Sequence, residues 1–319
     1  MKIEGWQAKY LSMAGRTTLI KSVVSTIPIY TMQTTLIPQK ISHQLDKMSC
    51  NFLWGDTIHH RSCHTVSWET VTMPKEAGGL GLNSIRHRNQ AILMHQAWRL
   101  YTNSDMLWAR VLKAKYFLHS PMFNSTGRVR GSHIWTAFRH GIKLLYEGMS
   151  WIVGDGQDIR IWQDSWLPSG SLRSYIAGPL QLMAEDSRVS SLRSNHSWSF
   201  ESLTFPIPHH LEQLIQGIPV AQISRLSDSF LWPHNNGICS IKSASKFLYH
   251  KHQVPWDKQN WSWIWTVPCP KKIQLFLWKA MHNRLPTNHF LAITHRHPNG
   301  QCPRCHSLET TIHILRDCP

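Results

Sequence analysis

Apolar residues recur at helical spacing through most of the first half of the chain. In LSMAGRTTLIKSVVSTIPIY, Leu19, Ile20, Val23, Val24 and Ile27 make one stripe with Arg16 and Lys21 outside it, and Pro28 ends the run. After Pro38, the residues Ile41, Leu45, Met48 and Phe52 repeat as far as Gly55, which suits a C-terminal cap. Residues 64–83 carry turn punctuation, and a third helix is expected from Ser84 to Tyr101 through Ile85, Ile92 and Leu100. DMLWARVLKAKYF turns Leu107, Trp108, Val111 and Leu112 inward and Arg110, Lys113 and Lys115 outward. A further helix over 132–147 carries Ile134, Trp135, Phe138, Ile142 and Leu145.

The period then changes. Trp151–Val153 and Ile159–Trp162 flank Gly154-Asp155-Gly156, which predicts a hairpin, because Asp-Gly tolerates the positive φ of such turns. Asp155 and Asp158 are read as turn-forming carboxylates rather than ligands. From 168 to 225 the pattern weakens and reads as a linker or loosely structured insert. A short strand at Ile238–Ile241 leads into KSASKFLYH. The tryptophan-rich WSWIWTVPCPKKIQLFLWKAMHNRLPT then places Ile273, Phe276, Leu277 and Ala280 inward and Lys271, Lys272, Lys279 and Arg284 outward. The expected class is mainly α with a small β-hairpin region. Its segments are a helical region at 1–118, a helix plus hairpin at 119–167, the insert at 168–236 and a helical terminal module at 237–319.

Composition adds a partner class to this pattern by charge alone. With 34 Lys and Arg against 18 Asp and Glu, the net charge is +16, and the basic residues are spread over amphipathic segments instead of a tail. A folded basic face that meets a polyanion, RNA or DNA, is expected. No stretch reaches the roughly 18 uninterrupted apolar residues of a membrane span, and the N-terminus lacks the apolar core of a signal peptide. Gly78, Gly79 and Gly81 are followed by no Lys-Ser/Thr pair, so a turn is expected there in place of a phosphate loop.

Three of the seven cysteines lie in the terminal string CPRCHSLETTIHILRDCP, which has the form C-x2-C-x7-H-x4-C. This spacing points to one Zn²⁺ held by Cys302, Cys305, His313 and Cys318, in a reducing, intracellular setting. Pro303 shapes the first turn. Ser307 is expected to cap a short helix whose inner face shows Ile312 and Leu315. Positions five apart on an ideal helix diverge by about 140°, so Cys318 must sit at or past the helix end. His295, His297 and His306 are substitute ligands, and Cys50, Cys63, Cys239 and Cys269 read as buried thiols. Four protein ligands leave no open position, which makes the zinc structural. Two-metal polymerase or nuclease chemistry needs clustered carboxylates, whereas the adjacent acidic pair here, Glu185-Asp186, falls in the insert. Arg304, Lys271, Lys272, Lys279 and Arg284 are candidate phosphate contacts. A tryptophan-rich surface that binds a protein partner is the competing expectation.

The order of motifs resembles the C-terminal part of the reverse transcriptase of LINE-type non-LTR retrotransposons of plant genomes. The strings that carry the resemblance are GWQAKYLSMAGRTTLIKSVVSTIPIYTM, NFLWGD, HTVSWETVTMPKEAGGLGL, WIVGDGQDIRIWQDSWLP, SIKSASKFLYH and the tryptophan-rich and cysteine-bearing segments just described. The resemblance implies that 1–118 corresponds to a thumb-like helical region beyond the palm, and 237–319 to the reverse-transcriptase zinc-binding domain, cut short at Pro319. It implies a piece of a longer reading frame without the palm aspartates, hence no catalysis, or the product of a decayed element.

Overall fold

The computed structural model describes residues 10–57, 60–117, 131–168, 170–175, 178–180, 186–194, 197–203, 207–218, 227–251 and 260–319. The fold is mainly α with small antiparallel strand pairs. The helices are α1 (Met13–Leu19), α2 (Ile29–Met32), α3 (Gln39–Trp54), α4 (Trp68–Thr72), α5 (Ile85–Thr102), α6 (Leu107–Tyr116), α7 (His133–Gly148), α8 (His209–Gln216), α9 (Ile241–Lys251), α10 (Ser262–Thr266), α11 (Lys271–Met281) and α12 (Asn288–Ile293). The strands are β1 (Ser150–Ile152), β2 (Ser165–Leu167), β3 (Gly170–Ser171), β4 (Arg193–Ser194), β5 (Ser197–Trp198) and β6 (Ser229–Leu231). No helix among the described residues is long and apolar enough to cross a membrane. The chain forms two compact units, one of Met1–Leu93, Gly131–Ala137 and Leu248–Pro319, the other of Met94–Arg130 and Phe138–Phe247.

The first unit joins both ends of the sequence around one core. Ile20, Val24, Phe52, Leu53, Trp54, Val71, Leu80 and Leu82 pack with Trp261, Ile264, Leu275 and Trp278. The Gly-Gly turn is where they meet. Gly78 adopts φ +86, and a Cβ there would lie 2.9 Å from the Trp261 ring, so only glycine fits. The Gly78 carbonyl accepts the Trp278 indole N–H at 2.7 Å and faces His282 Nε2 at 2.8 Å. The glycines therefore make a turn, as the sequence suggests, and that turn seats the tryptophan-rich segment. Gly55 ends α3 with φ +79, as its placement predicts. Asn89, buried in α5, accepts from Ile37 N at 2.9 Å and donates to the carbonyls of Met32 and Thr35, fixing the loop before α3.

Several predicted faces are rotated. On α11 the buried residues are Gln274, Leu275 and Trp278, while Ile273 and Phe276 are exposed. The cause is polar: Gln274 Nε2 donates to the Val267 carbonyl at 3.0 Å, and the Trp278 N–H must reach Gly78. On α6, Ala109 is buried and Leu107 and Val111 are exposed. After α1 the chain widens into a π turn at Ile20–Val24, which buries Ile20 and Val24 and turns Ile27 to solvent.

The second unit has its own core of Val153, Ile159, Ile161, Trp162, Trp166, Leu172, Val189, Leu192, Ile207, Leu211 and Ile215. The predicted hairpin across Gly154–Gly156 is replaced by a long-range pair: β1 runs antiparallel to β6, with Trp151 opposite Phe230. The reason lies at Asp228, whose carboxylate accepts the N–H groups of Gly154, Gly156 and Asp158 and so fills the turn from outside. Asp155 accepts from Gln157 N at 3.1 Å, the turn-forming role expected of it. The expected strand at Ile238–Ile241 is instead β6 at Ser229–Leu231, with α9 starting at Ile241. Asp164, 2% exposed, accepts from Arg160 N at 2.7 Å, Arg160 Nη2 at 3.1 Å and the Tyr146 hydroxyl.

Candidate metal centre and basic face

Cys302 begins the site. Its N–H donates to the Ser307 carbonyl at 2.8 Å and its carbonyl accepts from His306 N at 2.9 Å, closing the tight turn that carries Cys305. The backbone N–H groups of Cys305 and Arg304 point at Cys302 Sγ. With His313 they hold that thiol down at about 6, favouring the thiolate a metal needs. Burial, then Cys302 itself, pushes Cys318 up to about 11. A cluster of thiolates without a cation between them is costly, and such a cluster suits a divalent ion.

The second half of the site is built by an irregular helix. Thr310 Oγ1 caps it by accepting His313 N at 3.1 Å, a role expected of Ser307. Residues His313–Asp317 form a π turn, and Cys318 N donates to the His313 carbonyl at 2.8 Å. An α-helix would have splayed His313 and Cys318 apart; the wider i to i+5 turn brings them to the same side. The face directed inward carries Thr311 and His313, whereas Ile312 and Leu315 are each 52% exposed, contrary to the expected inner face. Glu309, buried, ties the knuckle to α12 by accepting Asn288 N at 2.6 Å and Asn288 Nδ2 at 3.2 Å. Neither Thr310 nor Glu309 was expected from spacing. A Thr three residues before the helical histidine is the capping signal that would have found the first.

One ligand atom from each of Cys302, Cys305, His313 and Cys318 lies within 4.8 Å of all the others. Cys302 Sγ and Cys318 Sγ are 3.8 Å apart, and Cys305 Sγ is 3.1 Å from His313 Nε2. Zinc–sulfur bonds of about 2.3 Å in a tetrahedron set two sulfurs about 3.8 Å apart, so the residues present fit the ion. His295, His297 and His306 are not members of this cluster.

A family model described as zinc-binding in reverse transcriptase matches residues 239–319. An uncharacterized mitochondrial protein of Arabidopsis thaliana is 30% identical over 142 residues, 44% of this chain and 92% of that protein. An Arabidopsis thaliana protein provisionally named a ribonuclease H protein is 29% identical over 326 residues, all of this chain and 52% of that protein. The chain belongs to the plant retrotransposon reverse-transcriptase-related family. It spans about half the length of the longer relative. One zinc ion is the cofactor of this family's terminal module, and the Cys3His cluster supplies a complete donor set for it.

The basic residues singled out from the sequence are spread over the first unit. Lys271 and Lys272 are exposed at the start of α11, Lys279 Nζ lies 5.4 Å from the Trp54 ring, Arg284 lies over Phe290 at 5.5 Å, and Arg304 is exposed beside the knuckle. The structure also gives Cys50 a histidine partner that sequence does not reveal. Its Sγ is 3.7 Å from His64 Nδ1, and His64 Nε2 is 3.0 Å from Asp56, in the wall of a cavity of about 660 Å³. Burial, then Asp56 and Glu69, pushes the Cys50 thiol up to about 11, the opposite of what a nucleophile requires.

Proposed function

We propose that this chain is a non-catalytic, nucleic-acid-binding part of a retrotransposon reverse transcriptase, its terminal module closed by one structural zinc on Cys302, Cys305, His313 and Cys318. The observation that carries the reading is a closed Cys3His donor set at the end of a chain of net charge +16. Four protein ligands complete a tetrahedron and leave no position for substrate, so the ion holds the backbone and performs no reaction. Residues 1–118 take the thumb-like role, 119–167 and 168–236, which supply the core of the second unit, follow it in the sequence, and 237–319 form the zinc-binding module. Lys271, Lys272, Lys279, Arg284 and Arg304 contribute phosphate contacts, which position a nucleic acid without reading its sequence.

The test is direct binding of zinc-loaded protein to a fluorescent RNA–DNA hybrid at low salt. Saturable binding with no extension or cleavage of the hybrid in the presence of Mg²⁺ is the expected result, and absence of binding overturns the reading. The name of the longer relative supports a second reading, ribonuclease H activity. Such chemistry requires carboxylates grouped around two metal ions about 4 Å apart. Cleavage of the RNA strand in the same experiment would favour it.

A further inference from the structure

Three lysines distant in sequence converge in the first unit. Lys21 Nζ donates to the Leu80 carbonyl at 3.2 Å. A Cβ added to Gly81 would meet Lys75 Cγ at 3.3 Å and Lys21 Nζ at 3.5 Å, so both side chains close over that glycine. Lys75 extends across Trp265 with its Nζ 4.7 Å from the ring centroid, and Lys271 Nζ donates to Gln274 Oε1 at 2.7 Å. Every one of these partners is neutral. None of the three lysines has an ion-pair partner among the described residues; Glu76, next to Lys75, is the carboxylate whose field reaches it. Burial and then the neighbouring ammonium groups depress Lys21, with Lys75 and Lys271 both acting on it. The fold thus gathers three like charges and leaves their repulsion for an anion to relieve.

The charges continue along a line. Helix α1 packs against α11. Farther along this helix pair Lys279 lies within the field of Arg16, whose Nη1 donates to the Leu53 carbonyl at 3.2 Å. The two groups of charges are five residues apart along α1 and the π turn that continues it and eight along α11, about 7 to 12 Å at 1.5 Å per residue. A nucleic-acid strand advances about 3.4 Å per phosphate along its axis, so two to four phosphates fit that length. A compact anion would use one end alone.

Resting on the nucleic-acid reading above, we propose that Lys21, Lys75 and Lys271 form a phosphate-backbone site, prolonged by Arg16 and Lys279, whose ligand is the sugar–phosphate strand of an RNA or DNA. The site joins the segment that resembles the thumb to the zinc-binding module, so one strand is gripped by both.

The experiment compares zinc-loaded wild type with K21Q/K75Q/K271Q and with a control of equal charge change, K115Q/K143Q/K246Q, on a fluorescent RNA–DNA hybrid over a range of salt. Three lost phosphate contacts lower the slope of log K against log salt by about 2 to 3, and affinity near 0.1 M salt falls about 100-fold or more. The control is expected to lose far less. Equal losses in both triple variants, or none in the first, overturn the site while leaving the nucleic-acid reading standing; absence of wild-type binding overturns both. Lysine acetylation footprinting of the wild type serves if the triple variant fails to fold. Protection of Lys21, Lys75 and Lys271 by the hybrid supports the site, and unchanged labelling of all three refutes it.

Discussion

Removing zinc should release the knuckle and leave the rest of the first unit folded. Between Pro303 and Pro319 the buried side chains are Glu309, Thr311 and His313, while Leu308, Ile312, Ile314 and Leu315 are 47–52% exposed. The segment therefore has almost no apolar core of its own, and the metal is the interaction large enough to order it. With free zinc 100 to 1,000 times its dissociation constant, linkage adds about 2.7 to 4.1 kcal/mol to the cost of opening, a slowing of exchange of about 100- to 1,000-fold. The amides that report this are named by their hydrogen bonds: Cys302 to Ser307, His306 to Cys302, Glu309 to Gly300 and Cys318 to His313. Hydrogen exchange by NMR or mass spectrometry, with and without a chelator, measures it. Leu80, bonded to the Val71 carbonyl at 3.0 Å inside the tryptophan core, is the internal control and should not change. Equal exchange of the knuckle amides in both states would refute the zinc site. Loss of protection at Leu80 as well would refute the argument that the metal acts locally.

Gly78→Ala should destabilise the first unit by about 2 kcal/mol or more, because a Cβ at positive φ also meets Trp261; urea denaturation followed by tryptophan fluorescence reads it. Asp164→Asn breaks a buried ion pair and should cost the second unit about 3 kcal/mol, the low end of such losses because Arg160 is 29% exposed; exchange rates at Ile161 and Val189 report it, and unchanged rates would count against the buried network. Cys50 and Cys239, raised to about 11 and about 12 by burial, remain protonated thiols at neutral pH. Near pH 7.5 they should be alkylated at least about a hundredfold more slowly than in denatured protein, with the rate rising as pH approaches those values; rapid native labelling would contradict this.

What the sequence made legible was local. Cys302, Cys305, His313 and Cys318, which cluster in the fold, sit within one short string, and α3 is delimited by Pro38 and Gly55, so spacing alone pointed to both. Rotation of helix faces was not legible, because it was decided by partners far along the chain: Trp278 bonds to Gly78 and pulls Gln274 inside, leaving Ile273 and Phe276 outside. For the same reason an Asp-Gly turn with alternating flanks did not become a hairpin, since Asp228 occupies its amides. Spacing also assumed an ideal helix between His313 and Cys318. The π turn found there resolves the angular mismatch that the assumption created.

Nucleic-acid binding by this zinc-closed, basic chain is proposed to rest on contacts to the phosphate backbone. Titration of the zinc-loaded protein with an RNA–DNA hybrid at several salt concentrations tests it most directly. The expected result is tight binding at low salt that weakens linearly in log K against log salt, with a slope of about −3 or steeper. Binding that is absent at low salt, or present but indifferent to salt, would contradict it.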